Sequence, residues 1–144
     1  MWQLKAFSEL STQELFEIYQ TRIAVFVVEQ NCAYQEVDEK DRKALHLFAK
    51  NSQKLTAYCR IIPEQDGVHI GRVLVTEEAR GTGFAKKLMA QALTICQQQW
   101  QSENVYVQAQ AYLQDFYQSL GFKPISEVYL EDGIPHLDMA LNNE

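Results

Sequence analysis

Between residues 73 and 87 the sequence runs Val-Leu-Val-Thr-Glu-Glu-Ala-Arg-Gly-Thr-Gly-Phe-Ala-Lys-Lys, and no other stretch constrains the fold as tightly. An apolar, strand-forming run (Val73, Leu74, Val75) ends in a polar turn. The glycines of that turn, Gly81 and Gly83, open into a helical pattern. Glycine lets backbone N–H groups approach an anion closely, and the start of a helix adds partial positive charge. Arg80 and Lys86 add full charges beside Thr82, Phe84 and Ala85, so the segment predicts a strand, turn and helix that cradle a pyrophosphate. Other phosphate motifs need residues that are missing. A Walker loop requires Gly-Lys-Ser/Thr. A dinucleotide fingerprint requires glycine where Lys86 stands and a carboxylate ending the next strand, whereas Glu103 precedes that strand. The plain alternative is a turn that caps a helix and binds nothing.

The remaining chain predicts elements on both sides of this unit. Residues 2–7 read as a strand, and Ser11-Thr12-Gln13-Glu14 matches a helix-opening capping box. Leu15, Ile18, Arg22, Val25 and Glu29 recur at helical spacing, which puts Arg22 and Glu29 on the inner face, where they could form an ion pair. The charged run 35–43 reads as a solvated loop. Strands follow at 45–50, 54–62 and 68–75, the last after an Asp66-Gly67 turn, and then a helix over 83–99. A strand at 104–110, a short helix at 112–120 and strands at 124–130 and 134–141 close the chain. The order β-α-β-β-β-α-β-α-β-β predicts one α+β domain over residues 1–144, a mixed, mostly antiparallel sheet flanked by helices. A chain of 144 residues buries roughly 70% of its unfolded surface and requires no staple.

Two motifs carry a family resemblance. Arg80-Gly81-Thr82-Gly83-Phe84-Ala85 is similar to the R/Q-x-x-G-x-G/A motif of the GNAT N-acetyltransferase superfamily, in the same strand–loop–helix setting. Phe116-Tyr117-Gln118-Ser119-Leu120-Gly121-Phe122 resembles its second signature, F-Y-x-x-x-G-F. Three further blocks, 24–32, 109–114 and 131–136, resemble the ElaA-type branch. The resemblance implies acetyl-CoA as donor, with the pyrophosphate on residues 80–86 and backbone N–H groups of Val73, Leu74 and Val75 polarising the thioester. It implies Tyr117 as the acid that protonates the departing thiolate, a role set against simple core packing beside Phe116. Many members carry Asn where this chain has Gln110, which is expected to contact the pantetheine arm in its place. The resemblance leaves the acceptor unnamed. A CoA-binding sensor without turnover is the alternative function.

The attacking amine must be neutral, and a primary amine near pKa ~10 is mostly protonated at pH 7, so a base is expected. Glu29, Glu36, Asp38, His46 and His136 are the candidates, each with a structural alternative as an ion pair, a loop charge or a packed imidazole. A net charge of -6 excludes nucleic acid as the expected partner and favours a cationic small-molecule or peptide amine, held in part by the acidic residues of 36–41. The three cysteines, Cys32, Cys59 and Cys96, lack metal or redox spacing and suit reduced thiols in a cytoplasmic protein. No metal and no membrane span are expected, since no run approaches about 18 apolar residues. The apolar closing strands offer a surface for a homodimer.

Overall fold

The computed structural model describes residues 2–101 and 103–142. Ser11 opens helix α1 (Thr12–Ile23) reciprocally: its hydroxyl accepts from Glu14 N–H at 3.0 Å, and the Glu14 carboxylate accepts from Ser11 N–H at 2.9 Å. At Ala24 the spiral widens into a π-helical turn, Ala24–Glu29. This breaks the spacing that would keep Glu29 on the face of Arg22. The expected pair does not form; Arg22 meets Glu36 and Asp41, and Glu29 meets Arg80.

Strands β1 (Trp2–Ala6), β2 (Leu45–Asn51), β3 (Lys54–Glu64), β4 (Gly67–Val75), β5 (Val105–Gln110), β6 (Lys123–Pro124), β7 (Tyr129–Glu131) and β8 (Ile134–Leu141) form one sheet. Its order is β1-β2-β3-β4-β5-β8-β6, with β7 also on β8. Among the described residues β4 and β5 are the one parallel pair, because the crossover helix α3 (Phe84–Gln99) joins them. Strand alternation sorts the core into two layers. On one face Leu88, Met89 and Ala92 of α3 pack on Cys59, Ile61 and Val107. On the other, Ile18 of α1 packs on Phe48, Tyr58 and Leu74. Each large side chain so buried contributes roughly 1.5–3 kcal/mol, which makes these two layers the main apolar support of the sheet.

The expected strand over 124–130 is interrupted. Asp138 N–H donates to the Ser126 hydroxyl at 2.9 Å instead of to a backbone carbonyl, so the ladder breaks between β6 and β7. Ile125, Val128 and Leu130 stand exposed on this outer edge.

The segment 35–43 is not the solvated loop its composition suggests. Residues Lys40–Lys43 form one helical turn, α2, and Glu36 and Asp41 are only 3% and 1% exposed. Arg22, fully buried, donates through Nε to Glu36 at 2.6 Å and through Nη1 to Asp41 at 2.7 Å. Arg60 of β3 reaches Asp38 at 2.7 Å and Asp41 at 3.0 Å. Arg72 of β4 donates to the Glu36 backbone carbonyl at 2.9 Å. Three guanidinium groups thus face three carboxylates, and the cluster carries no net charge. Burial opposes ionisation of Asp41, yet its contacts with Arg22 and Arg60 hold it below the usual carboxylate range.

Beside this cluster β4 is bulged. Tyr58 pairs with Leu74 and Arg60 with Gly71, so Arg72 and Val73 together oppose Cys59. Arg72 takes a left-handed backbone, φ 51°. Gly71 next to it is the sequence sign of such a bulge.

Removing one member of a buried ion cluster strands the others, at a typical cost of about 3–5 kcal/mol. Arg22→Met keeps the aliphatic bulk but leaves Glu36 and Asp41 without that cation. Urea unfolding is expected to show a loss of that size, and a loss below about 1 kcal/mol would contradict the account.

Candidate active site

The parallel pairing of β4 with β5 covers only Val68–Ile70 against Val105–Val107. Beyond it the strands part, and residues 71–75 keep β3 on one side with no strand on the other. Thr76 N–H donates to Thr56 on the β3 side at 2.9 Å. Alternation therefore turns the N–H and C=O of Val75 toward the gap. In agreement, the Val75 carbonyl accepts from Arg80 Nε at 2.9 Å. The gap is the centre of a cleft of about 760 Å³, bordered by Val73, Leu74, Val75, Arg80, Ala85 and Tyr117 among others.

The turn at the end of β4 has the predicted geometry. Gly81 and Gly83 both have φ 78°, and a Cβ built on either meets nothing within 4 Å. Glycine is thus required there by backbone conformation, and the space beside it is open. Gly83 precedes α3, whose first N–H groups, from Phe84, Ala85 and Lys86, have no acceptor within the helix. The Phe84 ring stacks on Trp2 at 5.3 Å, so only its backbone is offered to an anion. The Thr82 hydroxyl donates to the Ala79 carbonyl at 2.6 Å, tying the turn down. Lys86 is exposed. Arg80 is engaged: its Nη atoms donate to both carboxylate oxygens of Glu29 at 2.6 and 2.9 Å, which holds Glu29 below the usual carboxylate range.

Tyr117 lies on α4 (Gln114–Ser119), 5% exposed. The second motif explains its placement. The Phe116 and Phe122 rings meet it edge-on at 5.2 and 5.9 Å, and Gly121, φ 102°, turns the chain so that Phe122 can return. Burial pushes its phenol well above the ordinary range, so it keeps its proton near neutrality. Gln110 ends β5 beyond the parting of the strands at Val107 and exchanges amide hydrogen bonds with Gln30, at 3.2 and 3.5 Å.

Residues 8–143 match the family described as Acetyltransferase (GNAT) domain. The chain belongs to the GNAT acetyltransferase family. A UPF0039 protein of Schizosaccharomyces pombe is 51% identical over 140 residues, which cover 95% of this chain and 93% of the relative. The crystal structure of Escherichia coli ElaA superposes with a TM-score of 0.95 at 46% identity, covering 99% of each chain. An acyl-CoA N-acyltransferase from Pseudomonas aeruginosa superposes with a TM-score of 0.93 at 42% identity, covering 98% of this chain and 99% of the other.

Within this GNAT domain the five base candidates separate. Glu36 is enclosed by Arg22, Arg72 and the Tyr34 hydroxyl. His46 is fully buried between Tyr58 Oη at 2.6 Å and the Asp41 carbonyl at 2.9 Å, and burial pushes its imidazole down. Neither borders the cleft, and both are structural. Asp38, Glu29 and His136 do border it. Of the 36–41 carboxylates, Glu36, Asp38 and Asp41 are held by the arginines of the buried cluster, and the exposed Glu39 pairs with Arg42 at 3.2 Å. Sequence reading missed Gln30, Tyr34, Arg60 and Arg72 as cleft residues; only Gly71, flagging the bulge, hinted at the last. Cys32, Cys59 and Cys96 are free thiols. Among the described residues no group of His, Cys, Asp or Glu is placed to hold a metal, and no helix is long and apolar enough to cross a membrane.

Two substitutions should move CoA affinity in opposite directions in calorimetry. Gly83→Glu sets a carboxylate on the open side of the turn and is expected to weaken binding at least about tenfold, ~1.4 kcal/mol. Glu29→Gln releases Arg80; an exposed pair is worth about 1 kcal/mol or less, so tightening of up to about fivefold is expected. Folded variants with parent affinity would remove the cradle from consideration.

Proposed function

We propose that this chain is an acetyl-CoA-dependent N-acetyltransferase that moves the acetyl group onto a primary amine of a small molecule or peptide. The observation that carries the reading is the single cleft bordered by the free edge of β4, by Arg80 and Ala85 at the Gly-rich turn, and by Tyr117. The P. aeruginosa relative described as an acyl-CoA N-acyltransferase supports the donor class. Three free cysteines suit a cytoplasmic setting.

The residues fit the donor. Backbone N–H groups at the start of α3, with Arg80 and Lys86, suit the pyrophosphate, and Gln110 suits the amides of the pantetheine arm. The Val75 N–H, aimed at the gap, can donate to the thioester oxygen as charge develops there; one such donor is worth about 3–4 kcal/mol in oxyanion sites. The amine nitrogen bonds to the carbonyl carbon, the C–S bond then breaks, and Tyr117 gives its proton to the thiolate. Burial keeps the Tyr117 phenol protonated, so the proton is present when the sulfur leaves.

Thiol release from acetyl-CoA across a panel of polyamines, aminoglycosides, lysine peptides and protein N-termini tests the reading. Release without any dependence on added amine, or none at all, would contradict it. Tyr117→Phe keeps the ring between Phe116 and Phe122. Its single-turnover rate is expected to fall roughly 10²- to 10⁴-fold with CoA affinity intact. A variant as fast as the parent would make Tyr117 a packing residue.

A further inference from the structure

Amide formation requires that a proton leave the attacking nitrogen. Of the titratable groups on the cleft, His69 is on Asp66 at 2.8 Å, and Glu131 and Asp132 stand at the β7–β8 turn, beyond the strand pairing that carries Gln110. Both Glu29 oxygens are on Arg80. Both Asp38 oxygens are on Arg60, at 2.7 and 3.2 Å. His136 is differently placed. It lies directly opposite Gln110 in the β5–β8 pairing, and residues paired across strands share a face of the sheet. His136 borders the cleft, opposite the part of β5 that has left β4.

We infer that His136 is the general base of the reaction, acting through Nε2. The ring's hydrogen bonding fixes which nitrogen can act. Nδ1 lies 2.7 Å from the Ile134 carbonyl, which can only accept, so Nδ1 carries the proton and the neutral ring keeps its lone pair on Nε2. The β7–β8 hairpin holds the ring in this orientation. Tyr129, paired with His136 across the hairpin, stacks on it at 6.5 Å with planes 25° apart. Tyr129 is itself fixed by its hydroxyl, which donates to Asp138 and accepts from Gln108. The titratable neighbours are Tyr129 and Glu131 of β7, Asp132 of the turn, Cys32 beside Asp132, and Asp138 on the same strand; Gln108 and Gln110 of β5 are uncharged. Tyr129 stays neutral, since burial and the Asp138 carboxylate push its phenol up to about 12.

The proton balance closes with Tyr117 as acid. The neutral form of the amine attacks, its ammonium proton having passed to solvent. As the N–C bond forms, the nitrogen proton passes to His136 Nε2. As the C–S bond breaks, the Tyr117 proton passes to sulfur. Imidazolium and phenolate then re-equilibrate through solvent, leaving amide and free CoA thiol.

The inference rests on the transferase reading, so its test has two arms. The first follows thiol release with spermine, cationic at pH 7, and with hydroxylamine, a nucleophile neutral at pH 7 that needs less help from a base. His136→Asn, which keeps a side-chain donor for the Ile134 carbonyl, is expected to slow the spermine reaction at least about 10²-fold and hydroxylamine less than about threefold. Added imidazole should restore part of the spermine rate in His136→Ala. Equal losses with both nucleophiles and no rescue would make His136 structural and overturn the inference. The second arm needs no turnover: ¹⁵N NMR of the parent imidazole should find the proton on Nδ1 in the neutral ring. A proton on Nε2 would overturn the inference even in an active enzyme. A parent that releases no thiol with any amine would instead overturn the transferase reading, and the inference with it.

Discussion

The cluster around Arg22 is the constraint on which the cleft depends. One guanidinium, wholly buried, joins the end of α1 to Glu36 and Asp41, and through them to Arg60 on β3 and Arg72 on β4. Each of those attachments fixes a different wall. The end of α1 sets where the π-helical turn begins. The 36–41 segment forms a rim, and Arg60 lies on the cleft's border. Buried charge is costly unless paired, so this arrangement is all or nothing. It also draws cations over aromatic faces, with Arg22 5.3 Å from the Tyr19 centroid and Arg72 5.4 Å from that of Tyr34. Buried as they are, the polar groups of this region have few other partners to turn to.

The opening itself comes from a mismatch in pairing. β3 follows β4 along nearly its whole length, while β5 leaves it after Val107. A backbone edge with unspent donors is usually a liability that folds cover. Here the edge faces a cleft walled by α4 and the π-helical turn, so it is shielded from other strands without being paired. Glu29, the last residue of that turn, and Gln30, which follows it, hold Arg80 on one wall and Gln110 on the other. The first helix therefore ends as a strap across the gap.

Much of this was legible in the sequence, for physical reasons that can be named. The Gly-rich turn is readable because only glycine tolerates φ near 78° without strain, so the residue reports the backbone directly. The F-Y-x-x-x-G-F signature is readable for the same reason: Gly121 returns the chain and two phenylalanines clamp the tyrosine. The acidic segment was misread because charge in a run without periodicity looks solvated, and its arginine partners lie 14 to 36 residues away. Glu29 was misplaced because α-helical spacing was extended through residues that adopt a wider turn. His46 and His136 look alike in sequence. Tertiary packing alone separates an imidazole sealed between Tyr58 and Asp41 from one beside the cleft.

The bulge at Arg72 has a bearing on how this strand tolerates change. Side chains on a strand alternate between faces with period two, so the extra residue inverts the parity of everything after it. Val68 and Ile70 belong to the α3 layer, and two steps at a time from them would put Leu74 there too; the bulge sends Leu74 to the α1 layer instead. Loss of one residue between Gly71 and Val73 would swap the destinations of Val73, Leu74 and Val75, and would turn the Val75 N–H from the gap toward β3. Substitutions in β4 alter one side chain at a time. A single deletion would act there as a frameshift of the sheet, altering all downstream positions of the strand at once.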